Sequence, residues 1–531
     1  MNIAEILCTH AHTRPEAAAI IDTKRGRSRI LAFARLERAA AQTAALLHET
    51  GLQPGDAALV FYPMSAELYV TLVAIFRLGL IAMFLDPSAG REHIERCCEM
   101  HPPKAFIASA KAHLLRLISP ALRRVPLKFS IGLPVPDAIS LEDADRLPPH
   151  EPIEPCPPGT PALLTFTSGS TGQPKAAMRT HGFLLTQHRV LEQTLGLAPG
   201  EIDLTTLPIF VLANLGSGVT SLIPDADLRF PGAIDPAPVV AQIQTARPSS
   251  TAASPALLER LAGNCAQRGL MLSSFKRIFS GGAPVFPRLL DQLQSIAPQS
   301  EIVAVYGSTE AEPIAHIARH EIEPEDVAAM LSGRGLLTGL PVSTITLRIL
   351  PDQWEQPIGP YTQAEFDAAC LGCGQPGEIV VNGEHVLQGY LHGVGDEETK
   401  FSVDGKRWHR TGDAGYLDER GRLWLLGRCA ARIEDACGSL YPFTVESAVS
   451  HDPSVRRAAF VAYRGQRILA VEPRNQTDDV DLAFLAESVA WAHIERIQTF
   501  RRIPVDKRHN AKIDYPALYK LLEKSVRGQP E

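Results

Sequence analysis

No block of lysine or arginine stands out in the 531 residues, and 52 cationic against 59 anionic side chains leave a formal net charge of 52 − 59 = −7. A nucleic-acid surface needs a concentrated positive field, so the composition argues against such a partner. The opening residues, Met-Asn-Ile-Ala-Glu, lack a basic stretch followed by an apolar signal core. Nothing there directs export, and a cytoplasmic location is the expectation. An uninterrupted apolar run is missing too. The most apolar stretch, 68–85, is long enough on paper to cross a bilayer, but Arg77 sits at its centre and Gly79 breaks it. It predicts a buried helix followed by a strand ending at Asp86-Pro87, and no membrane span.

The nine cysteines are odd in number and scattered, which suggests free thiols in a reducing compartment. Cys370 and Cys373 form a CxxC, but neither a second pair nor a nearby histidine completes a metal set. Internal repeats and low-complexity tracts are also absent.

What is present is a long chain with 45% apolar residues, enough for two to four structural units. Helical patterns at 3–11, 33–49 and 66–77 alternate with short apolar strands at 57–61, 82–85 and 105–108. Such alternation predicts an α/β fold with parallel strands. Seven prolines between 147 and 161 read as an extended surface connector. The alternation resumes through the apolar strand at 303–306, and from about 377 the texture changes to short strands and turns.

The connector delivers the chain to Thr165-Phe-Thr-Ser-Gly-Ser-Thr-Gly-Gln-Pro-Lys175, behind the apolar Ala162-Leu163-Leu164. Gly169 and Gly172 let backbone N–H groups converge on an anion, Thr167, Ser168, Ser170 and Thr171 add short donors, and Lys175 adds charge. The Walker spacing fails because Gln173-Pro174 intervenes, and a Ser/Gly-rich surface turn is the bland reading of the loop alone. Four further stretches join it. Tyr306-Gly307-Ser308-Thr309-Glu310 follows an apolar strand, which places a hydroxyl and a carboxylate at a sheet's carboxyl edge. Ser280-Gly281-Gly282-Ala283-Pro284 leaves backbone bare enough for a flat ring. Arg410-Thr411-Gly412-Asp413 offers a carboxylate suited to a ribose diol, and Asn510-Ala511-Lys512-Ile513 carries a lysine near the C-terminus.

In this order and spacing the five stretches resemble the AMP-forming acyl-adenylating superfamily of acyl-CoA ligases, peptide-synthetase adenylation domains and luciferases. The resemblance covers essentially the whole chain. It implies a large α/β domain of layered sheets with a small β-rich part at 1–427, followed by a small, mobile α+β lid at 428–531. It implies ATP and Mg²⁺ as cofactors, with Thr167, Ser168, Gly169, Ser170, Thr171, Gly172 and Lys175 on the phosphates. Tyr306, Gly307 and the Gly282-Ala283-Pro284 turn would take the adenine, Asp413 and Arg428 the ribose, Thr309 a phosphate and Glu310 the metal. Lys512 would reach in from the lid as a mobile point charge, since a carboxylate attacking an α-phosphate meets like-charge repulsion.

Within the superfamily the chain most resembles the β-lactone synthetases of bacterial olefin biosynthesis, through 223–227 with Asp235-Pro236, 254–258 and 503–513. Those enzymes adenylate a β-hydroxy acid and let its own hydroxyl displace AMP. Four departures from the common CoA-ligase pattern agree with this. Pro208-Ile209-Phe210 runs into Val211 with no histidine, Ala430 stands where a hinge Asp or Lys is usual, the lid loop after Gly438 is one residue short, and Ala511 precedes Lys512. An acyl-CoA ligase using CoA or a carrier-protein thiol is the alternative. Amino-acid activation is disfavoured, because Asn214 offers a neutral amide where an acid would meet the ammonium. Phe210, Val211, Asn214, Ser280 and Gly281 are the expected acyl pocket. The apolar run 209–212 with Val219 favours a medium or long aliphatic acid as the small-molecule partner, with neighbouring pathway enzymes as possible further ones.

Overall fold

The computed structural model describes residues 1–24, 26–86, 90–168, 174–474, 480–506 and 512–526. Its chain forms two compact units, one of residues 1–225 with 387–397, the other of 226–386 with 398–531.

The first unit opens on α1 (Ile3–Thr13), whose first turn is closed by a capping box of Asn2 and Glu5. Strands β1 (Ala18–Lys24) and β2 (Arg27–Ala32) form a hairpin ahead of α2 (Phe33–Glu49). Phe33, Leu36, Ala40, Ala44 and Leu47 recur at helical spacing along α2 and are all buried, so the apolar stripe that predicted the helix is the face it buries. β3 (Ala57–Phe61), α3 (Ala66–Arg77), β4 (Ile81–Phe84), α4 (Arg91–Met100) and β5 (Ala105–Ser109) continue the alternation. Next come α5 (Ala110–His113), α6 (Pro120–Arg124), β6 (Leu127–Ile131) and β7 (Ile139–Ser140). The hairpin β8 (Pro161–Ser168) and β9 (Pro174–Thr180) completes a seven-stranded sheet of order β7-β6-β5-β3-β4-β8-β9. All its pairings are parallel except β8 with β9. After α7 (His181–Leu195), β10 (Ile202–Thr205), α8 (Pro208–Ser217) and β11 (Thr220–Leu222), strands β10, β11, β1 and β2 lie side by side in that order.

The apolar stretch 68–85 is indeed a helix and a strand. Ser65 caps α3 by accepting from the Leu68 N–H, and no helix among the described residues is long and apolar enough to cross a membrane. Arg77, which is 1% exposed, ion-pairs with Glu37 and donates to the His150 and Glu151 carbonyls at 2.9 Å each. A buried guanidinium with an anion and two carbonyls is compensated, and here it pins the proline-rich connector to the helix end.

In the second unit, parallel β12 (Ser250–Ala253), β13 (Arg277–Ser280) and β14 (Glu301–Ser308) alternate with helices Pro255–Arg268 and Pro287–Ile296. β15 (Ala311–Ala318), β16 (Leu336–Pro341), β17 (Ile345–Leu350), β18 (Gly377–Gly383), β19 (Lys400–Val403), β20 (Lys406–Leu417) and β21 (Leu423–Arg428) pair antiparallel. The change in texture expected near 377 is thus part of a switch from parallel to antiparallel pairing that starts at β15. Residues beyond Arg428 carry cores of their own. After the hairpin β22 (Ile433–Asp435) and β23 (Gly438–Leu440), β24 (Val455–Tyr463), β25 (Gln466–Pro473) and β26 (Arg496–Thr499) form a three-stranded sheet. One face buries Ala458, Phe460 and Leu469 against helices Pro442–Val449 and Leu482–Ser488. The other buries Ala459, Val461 and Ile468 against helix Tyr515–Val526. All nine cysteines are free thiols.

Candidate active site

The phosphate-loop residues Gly169, Ser170, Thr171 and Gly172 lie outside the described residues. Thr167 and Ser168 end β8, in antiparallel register with Lys175 and Pro174 of β9. Lys175 is buried, and its ammonium lies 5.8 Å from the centre of the Tyr390 ring. Its stem runs across Gly395, where an added Cβ would stand 2.6 Å from Lys175 Cδ and the φ of +96° further favours glycine. Tyr390 is fixed in turn by an antiparallel bridge with Ala177 and by its N–H donating to Asp396 Oδ1 at 2.8 Å. A ring face over an ammonium restrains its direction without neutralising it.

Asp413 is the hub of a second cluster. In the β20–β21 register it stands directly opposite Arg428, whose Nε is 3.2 Å from Oδ1. The Tyr306 hydroxyl donates to Oδ2 at 2.7 Å. Thr411 braces both partners: its Oγ1 accepts the Asp413 N–H at 3.1 Å and its carbonyl accepts from Arg428 at 3.2 Å. Burial first, then the Asp413 charge, pushes the Tyr306 hydroxyl well above its ordinary value, so it remains a neutral donor. The Asp413 charge raises Arg428 against the opposing effect of burial, with lesser contributions from Tyr306 and Glu310. Beneath this strand Arg410 and Glu378, each 1% exposed, pair at 2.6 Å, and Arg410 also donates to the Gln356 and Gln353 carbonyls. Arg410 in the Arg-Thr-Gly-Asp motif is therefore a fixture of the strand, and Asp413 is its outward-facing group.

Tyr306 and Gly307 are near the end of β14. Ser308 pairs with Ala311, which leaves Thr309 and Glu310 as the two-residue tip of the β14–β15 hairpin. The Ser308 Oγ accepts the Glu310 and Ala311 N–H groups at 3.2 and 3.3 Å and shapes that tip. The turn after β13 packs flat on β14: a Cβ at Gly281 would lie 2.9 Å from the Val305 carbonyl oxygen, so a bare backbone is required there. Gly282, Ala283 and Pro284 follow on its accessible side. The Ser280 Oγ is buried without a hydrogen-bond partner among the described residues, a polar atom left for a ligand or water.

The α8 residues behave differently from one another. Phe210 is nearly buried, and Val211 is wholly buried in a core with Leu212, Leu215 and Leu184. The Asn214 amide nitrogen lies 3.2 Å from Asp203 Oδ2 and 3.0 Å from both Thr205 Oγ1 and Ser221 Oγ, so it knits α8 to β10 and β11. Lys512 is exposed in the segment before the last helix. Its N–H donates to Asp506 Oδ1 at 2.9 Å, its carbonyl accepts the Asp506 N–H at 2.8 Å, and Val505 bridges Ile513. Among the described residues no group of three or more His, Cys, Asp or Glu side chains could hold a metal by itself. A Mg²⁺ ion whose other ligands are phosphate oxygens and water needs only one or two carboxylates, and Glu310 fits that role.

A carboxylate gripped by a tyrosine and an arginine, beside a flat glycine turn and a hairpin tip bearing Glu310, has the chemistry of a nucleotide site. Independently, the AMP-binding enzyme family matches residues 7–391. The chain belongs to that family. This AMP-binding enzyme is 31% identical to the olefin β-lactone synthetase of Stenotrophomonas maltophilia over 96% of each chain. It is 28% identical to the indoleacetate–CoA ligase of Aromatoleum aromaticum over 88% of this chain and 86% of that one. Among solved structures it resembles ATP-bound MatB from Rhodopseudomonas palustris, with a TM-score of 0.79 and 19% identity over 99% of this chain and all of the other. At that identity the likeness establishes the shared fold, including the mixture of large layered sheets and a small C-terminal β-containing part.

Tyr390, Gly395 and Thr411 escaped the sequence reading. Thr411 stood inside a recognised motif and could have been found. Tyr390 and Gly395 lie more than two hundred positions from the lysine they support, and no local pattern announces them.

Proposed function

We propose that this enzyme activates a β-hydroxy fatty acid as its acyl-adenylate and then closes the acyl group to a β-lactone. The carboxylate attacks the α-phosphorus of ATP, forming an acyl–phosphate bond while pyrophosphate leaves. The substrate's β-hydroxyl oxygen next attacks the acyl carbon, AMP departs as the C–O bond to phosphate breaks, and the hydroxyl proton leaves with the departing phosphate or with water. Asp413, held by Tyr306 and Arg428, would accept from the ribose hydroxyls, and the Gly282–Pro284 turn with Tyr306 would flank the adenine. Lys175 and the 167–172 loop would meet the phosphates, and Glu310 would hold Mg²⁺, which screens phosphate charge when bound. Residues 428–531 would act as a lid pivoting near Arg428–Ala430, with Lys512 offsetting the charge that builds up as the carboxylate attacks.

Similarity to an olefin β-lactone synthetase along nearly the full length carries this reading. The presence of Val211, packed into the core where many CoA ligases carry a gating histidine, supports it. An intramolecular hydroxyl has an effective concentration of about 10⁵ M or more when well oriented, far above that of any cellular thiol. The 28% identity to a CoA ligase supports the alternative, transfer to CoA. Incubation with Mg·ATP and β-hydroxy or plain fatty acids, with and without CoA, separates them by mass spectrometry. The expected result is stoichiometric AMP and a product lighter than the hydroxy acid by one water, without CoA. A CoA thioester formed at comparable or faster turnover would transfer the assignment to the ligase.

A further inference from the structure

From Lys104 to Pro136 the chain carries Lys104, Lys111, Arg116, Arg123, Arg124 and Lys128 and not one aspartate or glutamate, although the whole chain is acidic. The spacing is too wide to register as a basic block in the sequence, but the fold gathers it. The segment covers α5, the 3₁₀ helix Leu114–Leu117, α6 and β6, and ends beside β7, the outermost strand of the seven-stranded sheet. His113 anchors it, its Nε2 lying 2.9 Å from the Phe129 carbonyl. Arg116 reaches the Pro136 carbonyl at 3.3 Å and Asp137 at 2.9 Å, which folds the loop after β6 against the 3₁₀ helix.

The same edge exposes aliphatic side chains. Leu114 is 62% exposed, Leu117 73%, Ile118 53%, Leu133 63% and Ile139 36%, so five of the thirteen large exposed apolar side chains among the described residues fall within 26 positions. Lys111, Arg123 and Arg124 are exposed among them. Of the nearby carboxylates, Asp137 pairs with Arg116 and Lys128, Asp56 with Lys104, and Glu95 accepts from Ser119 and the Ala121 N–H, while Glu142, which accepts the Gly132 N–H at 2.6 Å, and Asp143, paired with Arg146, stay exposed just beyond β7.

We propose that this edge is a docking surface for an anionic membrane. Exposed Leu114, Leu117 and Ile118, with exposed Lys111, Arg123 and Arg124 in the same stretch of chain, combine apolar side chains that can enter the acyl boundary with cations that meet anionic headgroups. A protein interface would be expected to concentrate aromatic residues at its centre and to shed lysine. None of the exposed apolar residues here is aromatic. The proposal goes beyond the reaction and holds for either second step.

The test is co-sedimentation of the full chain with vesicles of phosphatidylcholine alone and of equal parts phosphatidylcholine and phosphatidylglycerol. Binding to the mixed vesicles is expected to exceed binding to phosphatidylcholine by roughly tenfold or more, and to fall in high salt. The variants Leu117→Ser/Leu133→Ser and Lys111→Glu/Arg124→Glu should each bind the mixed vesicles about tenfold less while keeping wild-type AMP formation on a water-soluble acid. Equal partitioning onto both vesicles, no binding, or variants that bind like the wild type would each overturn the proposal. So would a wild-type dimer, dissociated by Leu117→Ser, that ignores vesicles, since the surface would then belong to a second copy.

Discussion

Replacing Glu446 with glutamine should change how stability depends on pH. Glu446 is 4% exposed in helix Pro442–Val449, and its Oε1 accepts the Phe460 N–H at 3.0 Å. Burial pushes its carboxyl from an ordinary 4.5 up to about 8, and the Phe460 N–H and the charge of Arg457 offset this only in part. Unfolded, the same carboxyl releases its proton near 4.5. Between those values the folded chain binds the proton and the unfolded chain does not, so stability falls as pH rises, by about 1.4 kcal/mol per unit. The contribution is fully present below about 4.5, is lost through the window, and is gone above about 8, a total of roughly 3–5 kcal/mol. Glutamine keeps the acceptor and the volume but has no proton to release. Urea denaturation of both proteins, followed by hydrogen exchange in β24 and β25, should give the smallest gap in stability at about pH 5 and a glutamine advantage of a few kcal/mol near pH 8.5. All other titrating groups are common to the pair and cancel. A gap that does not change with pH would mean that Glu446 is ionised in the folded chain and that the argument from burial fails.

Three further outcomes test the site. Lys512→Ala and Glu310→Ala should each slow carboxylate-dependent AMP formation by a few orders of magnitude, roughly 3–5 kcal/mol, and near-wild-type rates for Lys512→Ala would sink the assigned mechanism. Asp413→Ala should weaken ATP by about 1.5–3 kcal/mol with little change in acyl preference, and Tyr306→Phe, which removes one of its two clamps, should weaken ATP less. If isothermal titration finds acyl preference shifted with ATP affinity intact, Asp413 has another role. Gly395→Ala places a methyl against the Lys175 stem and should raise the KM for ATP several-fold more than Gly393→Ala, which meets nothing at a similar positive φ; equal effects would reduce both to backbone strain.

What the sequence made legible is what short-range physics determines. The helices at 33–49 and 66–77 occur with those bounds because their apolar stripes, and for the second a serine cap, are written in consecutive residues. The strand at 57–61 is likewise where its five apolar residues placed it. The motifs were legible for a related reason: Tyr306, Thr309 and Glu310 stand on one hairpin, and Thr411 and Asp413 on one strand. What stayed hidden depends on which strands become neighbours. Asp413 meets Arg428 because β20 and β21 pair in that register, and it meets Tyr306 across 107 positions. Asn214 shows how much partners add to residue type: read alone it offered a neutral amide, and in the fold Asp203, Thr205 and Ser221 surround its nitrogen. A buried amide is cheap only when its hydrogen bonds are made, and those partners come from two other elements. Arg410 makes the same point: its guanidinium, 1% exposed, is bonded to Glu378 and to the Gln353 and Gln356 carbonyls, and so ties the strand that carries Asp413, three residues on, to other segments of the chain.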